Sequence, residues 1–344
     1  MLTLPAMIRE AIHELVAGHD LDREKARAAM DDIMSGDASE SLIAGFLVGL
    51  RMKGETVEEL VGMVESMRDH ATNISAPDGA VDTCGTGGDG AGTFNISTAA
   101  ALVMRGAGAV VAKHGGRASS SACGSADVLE ALGVAVGLPP AAAEVCLRRA
   151  GIAFLFAPNF HPSMRHASVT RRELGVRTAF NLLGPLANPA RVRRQAVGVG
   201  SAEATEKMAR VLLALGHERA LVFHGAGGLD ELSTEGTSEV FDVQGGEVRR
   251  FQVDPNELGL PTATRASIQG GDADHNAAIV RSVLGGEEGA PRDVVLLNAA
   301  AGLLAAGLVA SMKEGLAAGR ESIASGGARA ALDDLVRTST SLAA

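Results

Sequence analysis

The sequence predicts an α/β protein in two parts: a small all-helical domain, then a larger α/β domain with a mostly parallel central sheet. Three observations lead there. The first seventy or so residues have a helical rhythm, a turn-rich break follows at 73–79, and beyond it short β-branched runs alternate with alanine-rich helical ones.

In the helical part, Asp37-Ala-Ser-Glu40 offers a helix start, with Leu42, Phe46 and Leu50 following at helical spacing. Thr56-Val-Glu-Glu59 has the capping-box form, in which hydroxyl and carboxylate satisfy each other's exposed backbone donors. Asn73-Ile-Ser-Ala-Pro77-Asp-Gly79 breaks the pattern and marks a domain boundary, so 1–72 forms the small domain. The strand candidates are 109–112, 196–199, 220–223 and 239–243. Strands separated by helices imply a parallel sheet covered on both faces, with ligands beyond the carboxyl ends of the strands. Residues 162–185 interrupt the alternation with a helical excursion that rejoins the small domain, leaving 73–161 and 186–344 as the large one. The segment from Asp293 past Gly307 reads as a helix with an alanine-rich face, followed by at least one more. No internal repeat is visible.

Composition narrows the function. Of 344 residues 46% are hydrophobic, enough for a proper core, and 43 are glycine without low-complexity repeats, which points to many tight loops. The net charge of −10 argues against a nucleic-acid surface, and Arg191-Val-Arg-Arg194 reads as a solvated loop. Cys84, Cys123 and Cys146 are too few and too scattered for a disulfide framework or zinc site and read as packing residues. Arg9, Glu10 and Glu14 interrupt any signal-peptide pattern, and no apolar stretch is long enough to span a bilayer. A soluble cytoplasmic protein, without nucleic-acid or membrane partners, is the expectation.

Two glycine-rich loops carry the chemistry. The first runs Asp82-Thr-Cys-Gly-Thr-Gly-Gly-Asp89-Gly-Ala-Gly-Thr93-Phe-Asn95-Ile-Ser97-Thr98 and opens an alanine-rich helix. The second places Lys113, His114 and Arg117 beside Ser119, Ser120, Ser121 and Ser125. Glycine lets backbone amides converge closely on phosphate oxygens, most effectively where a loop opens a helix. A multiply phosphorylated small molecule is the natural guest.

The runs Gly85-Thr-Gly-Gly-Asp89, Thr93-Phe-Asn-Ile-Ser-Thr98, Lys113-His-Gly, Gly124-Ser-Ala-Asp-Val-Leu-Glu-Ala-Leu132 and Asn181-Leu-Leu-Gly-Pro-Leu-Ala-Asn-Pro189, in that order and spacing, resemble the anthranilate phosphoribosyltransferases of tryptophan biosynthesis. The resemblance implies the nucleoside phosphorylase/phosphoribosyltransferase-like fold, with 5-phosphoribosyl 1-diphosphate and Mg²⁺ bound between the domains and a homodimer joined through the helical one. By that likeness Gly88, Asp89, Thr93, Asn95, Ile96, Ser97 and Thr98 hold the diphosphate and ribose, Ser97 also touching a metal ion. Lys113 and the loop through Gly115, Gly116, Arg117, Ala118, Ser119, Ser120 and Ser121, with Ser125, close over the phosphates. Asp230 and Glu231 match a second metal site, Arg171 meets the anthranilate carboxylate, and Gly85, His114, His161 and Pro185 line the acceptor pocket.

Elementary chemistry agrees. Displacing diphosphate from C1 of ribose builds negative charge on the leaving group, which Mg²⁺ and Lys113 can support, with Asp89 positioning. An aromatic amine is already neutral at pH 7, so no side chain is expected to act as an indispensable general base. One residue departs from the family pattern: Gly116 stands where an asparagine usually contacts the acceptor. Transfer to another aromatic acceptor is therefore an alternative. A pyrimidine nucleoside phosphorylase and a non-catalytic nucleic-acid-binding paralogue follow, the latter disfavoured by the acidic charge and intact donor motifs.

Overall fold

The computed structural model describes residues 6–118 and 122–343. Four helices open it: α1 (Ala6–Val16), α2 (Arg23–Met34), α3 (Glu40–Lys53) and α4 (Val57–Asp69). The capping box at α4 is formed, Glu59 N donating to Thr56 Oγ1 at 3.2 Å and Thr56 N to Glu59 Oε2 at 2.7 Å. At α3 the expected start is only partly realised: Ser39 is the N-cap residue, but its hydroxyl makes no capping bond.

The chain then alternates: β1 (Val81–Gly85), α5 (Ile96–Gly106), β2 (Val111–Gly115), α6 (Ser125–Ala131), α7 (Pro140–Ala150) and β3 (Ile152–Phe156). The excursion follows as α8 (Ala157–Phe160), α9 (Arg165–Leu174) and α10 (Phe180–Leu186). Alternation resumes with β4 (Arg194–Gly198), α11 (Ala202–Ala214), β5 (Arg219–His224), β6 (Ser238–Gln244) and β7 (Glu247–Val253). Four helices close the chain: α12 (Ala273–Leu284), α13 (Ala290–Ala305), α14 (Met312–Ala324) and α15 (Gly327–Ala343).

One sheet has the order β3-β2-β1-β4-β5-β6-β7, parallel as far as β5. β6 and β7 extend it antiparallel through a Gly245-Gly246 turn, both residues at positive φ, which suits the twist of a two-residue hairpin. β1 has the next strand in sequence, β2, on one side and the much later β4 on the other. At such a reversal the connections leave in opposite directions and open a crevice at the carboxyl ends of the strands.

The strands alternate between two hydrophobic cores, as a period of two requires. Ala196, Leu221 and Phe223 join the core beneath α5 and α13. Val197, Ala220 and Val222 face the other way, into a core shared with Leu60 and Val64 of α4 and Leu183 of α10. α9 packs on α2 and α3, and α10 on α4. The apolar interior of the first four helices is thus continuous with one face of the sheet.

Candidate active site

β1 and β2 end side by side, and the first charged group of the site comes from a strand. Lys113 lies on β2, not on the loop the glycines suggested, and is 3% exposed. Its Nζ donates to the carbonyl of Thr83 at 2.6 Å and to Ser97 Oγ at 3.3 Å. Behind it, the fully buried Asp82 accepts from the His114 amide (3.2 Å), Asn188 Nδ2 (2.8 Å) and Gln195 Nε2 (3.2 Å). Burial raises its pKa, and the nearby Lys113 charge partly offsets this. Gln195 also donates to the Pro185 carbonyl at 2.6 Å, tying the end of α10 to the sheet.

Across the strand ends lies an acidic pair. Gly85 and Gly198 face each other in register at the ends of β1 and β4, and Gly225 follows β5. A Cβ on Gly85 would overlap the Asp230 carboxylate, one on Gly198 the Asp230 carbonyl, and one on Gly225 the Glu231 carbonyl. Glycines at or just past three strand ends therefore let residues 230–231 lie directly on the sheet. Asp230 accepts from the Gly87 amide at 2.6 Å and donates its own amide to Asp89 at 3.3 Å. Glu231 accepts from the Ser97 amide at 3.1 Å, in the first turn of α5, where a helix favours negative charge. Burial pushes both carboxyls well above the usual range, Asp89 adding to the effect at Asp230 and Asp230 at Glu231.

The two loops form the walls of a cleft of about 470 Å³. The first is held by Arg177, whose Nη1 donates to the Gly88 carbonyl at 2.6 Å. In the second, Asp127 accepts from the Ala118 and Gly124 amides at 3.1 and 2.8 Å. Arg117 pairs with Asp127 and Glu130 and lies 5.6 Å from the Phe156 ring centre, so its charge is already engaged. On the far side Arg171 sits 5.0 Å from the Phe180 ring centre, its pKa lowered by burial. The His114 and His161 rings are 5.1 Å apart, neither Nε2 has a hydrogen-bond partner among the described residues, and burial pushes them down to about 3 and about 4. Both are neutral at pH 7.

The family described as "Glycosyl transferase family, a/b domain" matches residues 77–329, and "Glycosyl transferase family, helical bundle domain" matches 9–71. The anthranilate phosphoribosyltransferase of Roseiflexus castenholzii is 52% identical over 97% of this chain and 98% of its own length. That of Rubrobacter xylanophilus is 51% identical, over 98% and 99%. The chain belongs to the anthranilate phosphoribosyltransferase family. The crystal structure of the Thermus thermophilus enzyme has a TM-score of 0.91 at 44% identity, covering 97% of this chain and 99% of that one. The Saccharomyces cerevisiae enzyme in complex with PRPP and Mg has a TM-score of 0.90 at 28% identity, covering 98% of each.

Most residues that the anthranilate phosphoribosyltransferase likeness singles out line the cleft: Gly85, Gly88, Asp89, Thr93, Asn95, Ile96, Ser97, Lys113, His114, Gly115, Gly116, Arg117, Ala118, Ser125, Arg171, Pro185, Asp230 and Glu231. Two are set back. His161 stands behind His114, and Thr98 is buried with a hydroxyl that has no partner among the described residues. Ser119, Ser120 and Ser121 lie outside the described residues. The sequence reading missed Gly198, Gly225, Arg177 and the Asp82–Asn188–Gln195 cluster. For the first two the available signal was a glycine near the end of an apolar run, Gly198 within Ala-Val-Gly-Val199 and Gly225 two residues past Phe223. For Asn188 it was an asparagine in an otherwise apolar Leu-Leu-Gly-Pro-Leu-Ala stretch.

Proposed function

We propose that this chain transfers the phosphoribosyl group of 5-phosphoribosyl 1-diphosphate to the amine of anthranilate, giving N-(5-phosphoribosyl)anthranilate and diphosphate, the second step of tryptophan biosynthesis from chorismate. The observation that carries this is the buried Lys113 set against Ser97, with Asp230 and Glu231 across the same strand ends under a glycine loop. Lys113 and the amides of 85–92 receive the diphosphate, with Asp89 holding the loop in register through the Ala91 amide at 3.0 Å. Arg171 receives the acceptor carboxylate, beside His114 and Pro185. The C1–oxygen bond to diphosphate breaks as the amine nitrogen bonds C1, and the amine proton leaves to solvent. Neutral, buried His114 and His161 shape the pocket and take no proton.

Asp230, Glu231 and Ser97 are the residues to hold magnesium. The buried Glu231 and the partly buried Asp230, both with raised pKa values, stand beside a third acid, Asp89, and form a place where a divalent cation relieves repulsion. Among the described residues no three His, Cys, Asp or Glu side chains are grouped to hold a metal on their own. That suits Mg²⁺, which keeps waters and takes substrate oxygens. When bound, it supplies positive charge against the departing diphosphate.

The same reading makes 1–72 with 162–185 one working unit and the protein a cytoplasmic homodimer joined through it. Val16 and Met52, apolar and 79% and 84% exposed on the helical part, support such a contact. Among the described residues no helix is long and apolar enough to cross a membrane.

The test mixes purified protein with Mg²⁺, 5-phosphoribosyl 1-diphosphate and anthranilate and follows anthranilate fluorescence. A decay that needs both donor and metal is expected. No decay, with donor binding still seen by calorimetry, would mean another aromatic amine is the acceptor and turn attention to Gly116.

A further inference from the structure

The segment 268–276, which runs from the β7–α12 connection into the first turn of α12, has no part in the site as described so far, yet it is strapped across the first glycine loop. Phe94 N donates to the Ile268 carbonyl at 3.2 Å, and Gly270 N to the Gly92 carbonyl at 2.8 Å. Gln269 Nε2 donates to the carbonyls of Ala91 and Gly92 at 3.2 and 2.5 Å. A Cβ on Gly270 would stand 2.7 Å from the Phe94 amide nitrogen, so the strap lies flush on the loop. At its end Asn276, 1% exposed, accepts from the Gly271 amide at 2.8 Å and donates to Asn95 Oδ1 at 3.0 Å. Asn95 Nδ2 in turn donates to the carbonyl of Cys123, beside the second loop, at 3.2 Å.

This relay has one possible polarity. A backbone N–H can only donate and a carbonyl can only accept. With Gly271 N–H at one end and Cys123 C=O at the other, both carboxamides between them are locked, oxygen toward the strap and nitrogen toward the second loop. Asn95 lines the cleft, and its second N–H has no partner among the described residues. It is held as a donor, the form an anion or a sugar oxygen requires.

We infer that Asn276 is a positioning residue for the phosphorylated substrate: it fixes the orientation of the Asn95 amide and, through it, couples the two glycine loops. The inference rests on the phosphoribosyl-transfer reading above. In Asn276→Asp the carboxylate still accepts from Gly271 but cannot donate to Asn95, whose amide is drawn round until its oxygen meets the Cys123 carbonyl and the cleft. The residue is nearly isosteric with the one it replaces. Asn276→Ser, which removes the partner altogether, is the milder companion.

The experiment measures KM for 5-phosphoribosyl 1-diphosphate and for anthranilate, kcat, calorimetric binding of inorganic diphosphate with Mg²⁺, and the thermal midpoint, in the wild type and both variants. Asn276→Asp is expected to raise the donor KM tenfold or more and weaken diphosphate comparably. The anthranilate KM should stay within twofold and the midpoint within a few degrees. Asn276→Ser should show the same donor-specific pattern at three- to tenfold. Unchanged donor binding would overturn the inference. So would a parallel loss for both substrates with a lowered midpoint, or failure of both variants to fold, since Asn276 would then serve the fold alone. If the wild type itself does not consume the donor, the transfer reading fails instead, and diphosphate binding still reports on the relay.

Discussion

At Gly116 nothing among the described residues lies within 4 Å of where a Cβ would stand, and the backbone is outside the left-handed region. An asparagine therefore enters without strain and brings an amide to the cleft wall where the acceptor is expected. One added hydrogen bond is worth about 1 kcal/mol, roughly a fivefold change in affinity. Gly116→Asn is expected to lower the anthranilate KM by about that factor; an unchanged or higher KM would show that the missing amide does not limit acceptor binding. At this scale the sequence was partly legible. Ser97, Lys113, Asp230 and Glu231 announce themselves because each belongs to a short local motif. Asp82, Asn188, Gln195 and Asn276 do not. Their partners lie on distant segments, and a lone polar residue in an apolar stretch looks the same whether it is buried in a cluster or facing water.

Among the elements, the strand ends are the most demanding. Gly198→Ala forces a Cβ into the Asp230 carbonyl, and the whole 230–231 segment must rise off the sheet. Displacing a catalytic group by about 1 Å costs on the order of 100-fold, so kcat/KM should fall at least that far, with loss of magnesium-dependent stabilisation. Gly137→Ala, where nothing lies within 4 Å and φ is ordinary, is the matching control and should stay within about twofold. Four strands were readable from β-branched runs, although β2 extends beyond its expected end to take in Lys113 and His114. β1, β3 and β7 were not. β1 carries the buried Asp82 inside a glycine motif, and β7 reads Glu-Val-Arg-Arg-Phe-Gln-Val, charged as an edge strand is to discourage further pairing. β3 follows α7 with only Gly151 between, in the left-handed conformation that ends the helix.

For the molecule as a whole, buried titratable groups of opposite kind set the response to pH. His114, His161 and His217 are pushed down to about 3, 4 and 3 by burial. Unfolding lets each gain a proton, so their contribution is lost as pH falls below about 6.5, at up to about 1.4 kcal/mol per histidine per pH unit. Asp230 and Glu231 are raised to about 7 and about 8, hold protons when folded and release them on unfolding, so their contribution is lost as pH rises out of the usual carboxylate range. Without divalent cation the two sets oppose each other, and the thermal midpoint should change little between about pH 5 and 6.5. Magnesium needs Asp230 and Glu231 ionised, so the rise in midpoint that it causes should be larger at pH 8 than at pH 6; an equal rise at both would count against those two residues as its ligands. The sheet order has a consequence in time as well. The ribosome makes β1 first, yet β4, its neighbour on one side, arrives only after roughly a hundred further residues, and α9 and α10, which complete the helical core, come late in that same interval. At about 5–20 residues per second the nascent chain spends on the order of 5 to 20 seconds with β1 paired on one side at most and its helical core open, so this interval is when chaperones have the most to shield.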